Sequence, residues 1–412
     1  MIPRCRSCSG GDLLPMFSLG RMPPVNAFIA REEIEKEEAF PLDLYFCRKC
    51  TLVQLGDVVE PSKLFSHYLH LSSASQSNIR HLSEVASLLK DRAGPLAGKK
   101  ILEIGSNDGT LLSFLRKSGA EVLGVDPAAN LVETARSKGV ETLAAFFSKN
   151  LVDSTSAARG PFDAVISINV VAHTPDFTSL LEDVRGVLAP GGVFLIEAAY
   201  AIDTILQGQF DTIYHEHVYC FSLHSLAFAL KRAGFEVVDA EIIPTQGTSL
   251  RVFARRADEN PAVGPAVMAI LGREKANGYT DERAYREAAQ LVTEFKKDFL
   301  RQVDALVSRH GPLIGLGAPA RGVVIANYCG LDGRTLKYVI DDTPLKQGRL
   351  VGGVHVPVKN WEALSEETDP AFILLSWNYR KEVLEKLERY RTTSPILVPF
   401  PRIELLQGAR VS

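Results

Sequence analysis

The sequence has no excess of positive charge. Its 46 Lys and Arg stand against 49 Asp and Glu, a net of −3, so the basic footprint of a nucleic-acid surface is missing. No apolar run is long enough to span a membrane, and the N-terminal MIPRCRSCSG lacks the apolar centre of a secretory leader. A cytoplasmic protein with no membrane and no nucleic-acid partner is expected. Cysteine is scarce, six in 412 residues. In a reducing compartment such thiols stay free or bind metal rather than form disulfides. H-E-x-x-H is absent, which removes one familiar metal-hydrolase pattern. What is present is an ordinary globular composition, 46% hydrophobic, over a length that suits two or three domains.

The chain is organised around Lys100 to Asp126, KILEIGSNDGTLLSFLRKSGAEVLGVD. KILEIG reads as a buried strand. Gly105-Ser106-Asn107-Asp108-Gly109 then makes a tight turn, and Thr110 to Ser118 is helical with Leu111, Leu112 and Leu115 on one face. A second strand, Glu121 to Val125, ends on Asp126. This is one β-α-β unit with a ligand-facing turn. The turn is E-x-G-x-x-x-G rather than the dinucleotide fingerprint, and it carries Asn107 and Asp108 where a phosphate cradle would want small neutral residues. A carboxylate there repels pyrophosphate. S-adenosylmethionine has no phosphate and carries positive charge, so Glu103, Asp108 and Asp126 suit it better. The stretch resembles the cofactor loop of class I S-adenosylmethionine-dependent methyltransferases.

Four of the cysteines form two C-x-x-C pairs, Cys5/Cys8 and Cys47/Cys50. Two such knuckles give the closed four-thiolate shell of a structural zinc site. Redox pairs or free thiols are the alternative. The gap between the pairs is long for a zinc ribbon, but LDLYFCRKC reads as a strand running into the second knuckle. MPPVNAF, with its Pro pair and Asn26, is expected to be a fixed loop. Further on, Tyr68, Ser72 and Ser73 precede a helical run from about Ser77 to Arg92. Tyr68 can present a phenol to a site, or simply be half-buried in a connector.

After Asp126 the alternation continues. Asn130 to Lys138 is expected as a helix, Phe162 to Asn169 as a strand, Leu180 to Leu188 as a helix ended by APGG, and VFLIEA as a strand. Such alternation gives a mostly parallel, doubly wound sheet whose ligands lie outside the carboxyl ends of its strands. The Gly105 turn, Asp126 and the segment after Asn169 therefore meet at one crevice, and NVVAH brings His173 there. FDTIYHEHVYCFS places Tyr214, His215, Glu216 and His217 in a row. If extended, Tyr214 and Glu216 face one way and His215 and His217 the other. That pattern suits acid-base chemistry by an oriented histidine rather than a metal cage. A satisfied polar edge strand is the alternative.

Taken together, the two C-x-x-C pairs, P-x-x-N-A-F, LEIGSNDGTLL, NVVAH, YHEH, G-x-SLRVF and KQGR resemble, in order and over essentially the whole chain, the nucleotide-sugar C-methyltransferases of deoxysugar pathways, including the tetronitrose C3-methyltransferase. The resemblance implies an α/β protein of three parts: a zinc-binding domain over residues 1–80, a class I methyltransferase doubly wound sheet over 81–255, and a Rossmann-like substrate-binding domain over 256–412. It implies S-adenosylmethionine at Glu103, Gly105, Asn107, Asp108, Asp126 and Asn169, and zinc at Cys5, Cys8, Cys47 and Cys50. It further implies His217 as the base, with Tyr214, Glu216, His173 and Tyr68 around the sugar of a nucleotide-sugar substrate. Relatives commonly carry tyrosine where this chain has Cys220, which alters the shape expected for the sugar pocket. The chain is expected to act as a monomer.

Beyond Arg255 to Pro265, a charged linker, Asp281 to Arg309 reads as a long helix, and PLIGLGAPARG as a strand and turn. Gly315, Gly317 and Gly322 imitate a dinucleotide loop, but glycines alone are a weak signal. Arg321 and Lys346 are either solvated charges or contacts to a diphosphate. Asp341-Asp342 followed by TPLKQGRLVGG reads as a structured loop at an interdomain cleft. Three alternatives stay open: methylation at oxygen or nitrogen, a regulator with a degenerate methyltransferase fold, and a nicotinamide-linked enzyme using the C-terminal glycines.

Overall fold

The computed structural model describes residues 4–65, 71–148, 150–151, 154, 161–200, 202–245, 248–390 and 393–408. The N-terminal module begins with a cysteine knuckle followed by strands β1 (Leu13–Met22), β2 (Phe28–Ile29), β3 (Phe40–Cys47) and β4 (Val53–Leu55). β1 pairs antiparallel with β3, setting Leu13 opposite Cys47, so each knuckle hangs from the same end of one hairpin. Both knuckles close alike. Ser9 N donates to Cys5 O and Thr51 N to Cys47 O, each at 2.8 Å, and Ser9 and Thr51 both have φ of 58°.

The central domain opens with the helix Gln76–Ala93, whose Ser75 side chain caps it by accepting from Asn78 N. Strands β5 (Lys100–Ile104), β6 (Glu121–Asp126), β7 (Thr142–Ala144), β8 (Phe162–Ile168) and β9 (Leu188–Ala199) follow, then β10 (Tyr219–Cys220), β11 (Phe235–Ile243) and β12 (Ser249–Arg256). Seven of these form a sheet in the order β11-β12-β9-β8-β5-β6-β7. All but β12 run parallel. This is the mostly parallel, doubly wound sheet that the alternation implied. One face packs on Leu82, Val85 and Leu89 of the first helix and on Leu111, Leu112 and Leu115 of the next. The other face shares one continuous core with both flanking modules, running from Cys5 and Leu44 through Val165 and Phe210 to Val324. One boundary differs from expectation. APGG does not separate helix from strand, because β9 starts at Leu188, which pairs with Phe162 across a register shift.

Helices Pro265–Ala276 and Glu282–His310 lead to the third domain. The second is capped by Asp281 at its start and stopped by Gly311 at φ +74°. Strands β13 (Leu313–Leu316), β14 (Leu336–Ile340), β15 (Leu350–Val351), β16 (Val358–Lys359), β17 (Phe372–Ile373), β18 (Pro395–Val398) and β19 (Glu404–Gln407) follow. Six form the sheet β16-β14-β13-β17-β18-β19, a Rossmann-like order in which β19 alone is antiparallel.

The three domains are stitched together by backbone pairing. β10, from the central domain, joins the N-terminal sheet as the partner of β4, with Cys220 opposite Val53. β15, from the third domain, pairs with β2, with Leu350 opposite Ile29. Beside that ribbon the Glu37 carboxylate accepts from Gly353 N at 3.1 Å and from His355 Nε2 at 2.7 Å.

Candidate active site

Gly105 sits at φ +70°, and a Cβ built on it would lie 2.2 Å from Val170 Cγ2. Only glycine lets the turn after β5 approach the segment after β8 this closely. Gly105 N donates to Val125 O at 2.7 Å. The Asp126 carboxylate then clamps the turn, accepting from Asn107 N at 2.8 Å and Ala128 N at 2.9 Å. Burial pushes the Asp126 pKa up, and those two N–H groups offset part of the rise. Asn169 lies at the carboxyl end of β8 with φ +55°, and its N–H donates to Glu197 O at 2.8 Å. Four residues expected at the cofactor, Glu103, Gly105, Asp126 and Asn169, thus lie at or near the carboxyl ends of the neighbouring strands β5, β6 and β8.

Asn107 and Asp108 have different duties. Asp108 is fully buried and accepts from Thr110 Oγ1 at 2.6 Å, Ser73 N at 3.1 Å and Lys138 Nζ at 3.0 Å. Burial alone would raise its pKa, but these donors overcome burial and hold it below the usual carboxylate range. Asn107 Oδ1 accepts from Ser72 N at 2.8 Å. The two side chains therefore tie the connector that precedes the first helix onto the turn. Glu103 is the unsatisfied member. It is buried, and among the described residues its Oε2 has no hydrogen-bond partner. Burial first, then the nearby Asp126 and Asp108, pushes its pKa well up. Ser106 Oγ, also buried, is likewise without a partner. Two orphaned polar atoms beside a glycine turn fit a small polar ligand that supplies the missing donors.

The YHEH segment is a turn rather than extended. His217 N donates to Tyr214 O at 2.8 Å, which folds the two rings together with centroids 3.9 Å apart. His215 is swung away. Its Nε2 lies 3.3 Å from Phe40 O and its ring packs edge-on against Phe40 in the N-terminal module. Glu216 is buried and its Oε1 accepts from Asn26 Nδ2 at 2.6 Å. The turn wins because strand pairing to β4 begins only at Tyr219. It puts Tyr214 and His217 on one side, where alternation had separated them.

His217 Nδ1 lies 2.7 Å from Thr212 O. A carbonyl can only accept, so Nδ1 carries the hydrogen and Nε2 keeps its lone pair. The His173 ring lies 5.0 Å from the His217 ring, and Phe65 packs on His173 at 5.7 Å. Burial pushes His217 down to about 4, with the Arg321 cation adding to the shift against the Thr212 hydrogen bond. Burial, then His217 itself, pushes His173 down to about 3. Both imidazoles are neutral at pH 7. A short path joins them to the cofactor turn, for Val170 touches Gly105, and His173 N donates to Val170 O at 2.8 Å. Tyr68 lies outside the described residues.

Arg321 and Lys346 are mostly buried and engaged within the protein. Asp211, fully buried, takes Arg321 Nε at 3.0 Å and Nη2 at 2.9 Å, and also Trp377 Nε1 at 2.7 Å. Lys346 Nζ donates to Ala318 O at 2.9 Å and lies over the Phe28 ring. Asp211, Thr212 and Trp377 were invisible as site residues in the sequence, as was Asn26 as the partner of Glu216. The sole signal was an acidic residue inside the apolar run QFDTIY.

Against known proteins, residues 5–65 match the family described as a zinc binding domain, 78–240 a methyltransferase domain, and 244–401 a C-methyltransferase C-terminal domain. The C-methyltransferase NovU of Streptomyces niveus is 34% identical over 409 residues, spanning 99% of this chain and 97% of that protein. The chain belongs to the C-methyltransferase family. This C-methyltransferase is also 30% identical to a ubiquinone biosynthesis O-methyltransferase of Xanthomonas oryzae pv. oryzae, but over 27% of its own length and 49% of that protein's. Among solved structures, magnesium protoporphyrin IX methyltransferase from Synechocystis PCC 6803 superposes on 43% of this chain and 79% of its own, with 18% identity and a TM-score of 0.34. That likeness is too remote to bear on chemistry.

The C-methyltransferase carries one metal-competent cluster among its described residues. The Sγ atoms of Cys5, Cys8, Cys47 and Cys50 are buried and lie within 4.8 Å of one another. A tetrahedron with Zn–S of about 2.3 Å has edges of about 3.8 Å. The Cys5–Cys50 and Cys8–Cys47 separations are 3.4 and 3.6 Å. Hydrogen bonds from Cys5 and Cys50 pull the Cys47 thiol down to about 2, while bonding to Cys47 pushes Cys5 up to about 12. All four can ionise together only around a cation, and the donor set fits zinc. With four thiolates and no open position, the ion is structural. Cys220, the remaining departure from the family pattern, is buried in β10 at the seam between modules, and burial pushes its thiol up to about 12.

Proposed function

We propose that this C-methyltransferase adds the methyl group of S-adenosylmethionine to C3 of a nucleotide-linked 4-keto deoxysugar, carried on thymidine diphosphate. The observation that carries the reading is the His217 imidazole. It is neutral and anchored through Nδ1, which leaves the lone pair on Nε2, and it lies one histidine away from the glycine turn. Glu103, Gly105, Asp126 and Asn169 would hold the cofactor. When bound, S-adenosylmethionine supplies an electrophilic methyl group to a nucleophilic carbon.

A sugar carbon is not nucleophilic until it loses a proton. A C4 ketone makes the C3 hydrogen removable, because the C–H electron pair can move into a C3–C4 double bond as the carbonyl oxygen takes the negative charge. His217 Nε2 takes that proton. Its depressed pKa keeps the base unprotonated throughout the neutral range, and the adjacent enolate then stabilises the imidazolium. His173, neutral, and Tyr214 would donate a hydrogen bond to the enolate oxygen. Glu216 holds its loop through Asn26 beside the sugar. We further propose that the enzyme works as a cytoplasmic monomer with no nucleic-acid partner.

The test is deuterium exchange into thymidine-diphosphate 4-keto-6-deoxyglucose without S-adenosylmethionine. A C4 ketone acidifies C3 and C5 alike. Label at C3 supports the reading, label at C5 moves the methyl to that carbon, and methyl transfer with no exchange supports an oxygen or nitrogen acceptor instead.

A further inference from the structure

The base is oriented by a backbone carbonyl, and that carbonyl belongs to a segment gripped from the third domain. Thr212 O receives the His217 Nδ1 hydrogen. Its two predecessors are both anchored across the domain boundary. Phe210 packs among Tyr328, Phe295 and Phe400 at 4.7, 5.2 and 5.6 Å. Asp211 receives a two-pronged Arg321 guanidinium and the Trp377 indole N–H, and the guanidinium lies over the Trp377 ring at 4.4 Å. A carboxylate bound by three donors and fully buried has one orientation available to it.

The glycines that imitate a dinucleotide loop explain how Arg321 and Trp377 come together. A Cβ on Gly317 would lie 2.4 Å from Ser376 Cβ, and one on Gly322 would lie 2.7 Å from Leu375 Cβ. Ser376 Oγ also donates to Leu316 O at 2.9 Å. The loop after β13 and the loop after β17 are therefore pressed together, with no room left for side chains. Asp341, where a nucleotide-binding fold would bind ribose, accepts from Ala318 N at 2.9 Å instead. The C-terminal glycine loop is used to aim Arg321 and Trp377 at the central domain.

We infer that Asp211, Arg321 and Trp377 are positioning residues for the base: the third domain, through them, fixes the Thr212 carbonyl that selects the tautomer and direction of His217. The inference rests on the proposed role of His217. It predicts an effect on the imidazole that can be read without any substrate.

Full-length, zinc-loaded protein labelled with 15N-histidine would be compared as wild type, Arg321→Gln, Arg321→Lys and Asp211→Asn, with His217→Asn to assign the signal. Wild type should show His217 as a single neutral tautomer with hydrogen on Nδ1. Arg321→Gln and Asp211→Asn should show mixed tautomers and lose on the order of 10- to 100-fold in deuterium exchange of thymidine-diphosphate 4-keto-6-deoxyglucose. Binding of S-adenosylhomocysteine and zinc content should be unchanged. Arg321→Lys should fall between, because an ammonium cannot reproduce two parallel bonds. Unchanged tautomer and unchanged exchange in a folded Arg321→Gln would overturn the inference even if Asp211→Asn does not fold. If His217→Asn retains exchange while the latch variants still scramble the tautomer, the catalytic role fails and the positioning stands.

Discussion

His217, the proposed base, stands out at the scale of single residues because burial and hydrogen bonding set histidine charge. An imidazole in the unfolded chain takes a proton near its ordinary value of 6.5, whereas folded His217 and His173 resist protonation down to about 4 and about 3. Between those values the unfolded chain binds more protons than the folded one, so stability must fall as pH falls. Urea midpoints measured from pH 7 to pH 4 should decline, and the decline should be shallower in His217→Asn. An equal slope in the two proteins would mean that His217 titrates normally. At this scale the sequence was legible for residue type but not for partners. Tyr214, Glu216 and His217 could be picked out, yet Glu216 proves to be bound to Asn26, and Asp108 to Ser73, Thr110 and Lys138. Such pairings depend on chain segments far apart in sequence, which no local spacing encodes.

At the scale of elements, the β5 turn and the segment after β8 are a matched pair. Gly105→Ala would force an alanine to φ +70° and into Val170 Cγ2. The left-handed backbone costs about 1–2 kcal/mol and the overpacking a further 1–3 kcal/mol. Thermal unfolding should show a loss of that order, and Val170→Ala in the same chain should recover the overpacking share but not the backbone share. Full recovery would mean the positive φ is not needed. The β-α-β unit and the doubly wound sheet were readable because apolar periodicity and glycine placement are local signals. The YHEH turn was not. An extended form would have split Tyr214 from His217, whereas one i to i+3 hydrogen bond reverses which side chains share a face.

At the scale of the whole molecule, the zinc-binding module supports the segment that carries His217. Its β4 pairs with β10 just past His217, Leu55 N donates to Val218 O at 2.9 Å, and Asn26 holds Glu216. Removing zinc with a chelator should lower the melting temperature and abolish proton exchange, with a smaller loss of cofactor binding, since the glycine turn lies in the central domain. Equal loss of both would show that the module merely keeps the chain folded. The three segments that carry the motifs were legible in their order. Their docking was not, because the ribbon of β2 with β15 and the Asp211–Arg321 pair join residues hundreds of positions apart, or more than a hundred, with no periodic signature. No helix among the described residues is long and apolar enough to cross a membrane.

The most direct measurement is the rate at which deuterium enters the sugar from D2O, with S-adenosylmethionine omitted, for wild type and for folded, zinc-loaded His217→Asn. Removing a general base costs on the order of 10²- to 10⁴-fold, so wild type should incorporate label beside the ketone and the variant should fall by that much. Label entering the variant at the wild-type rate would contradict proton removal by His217.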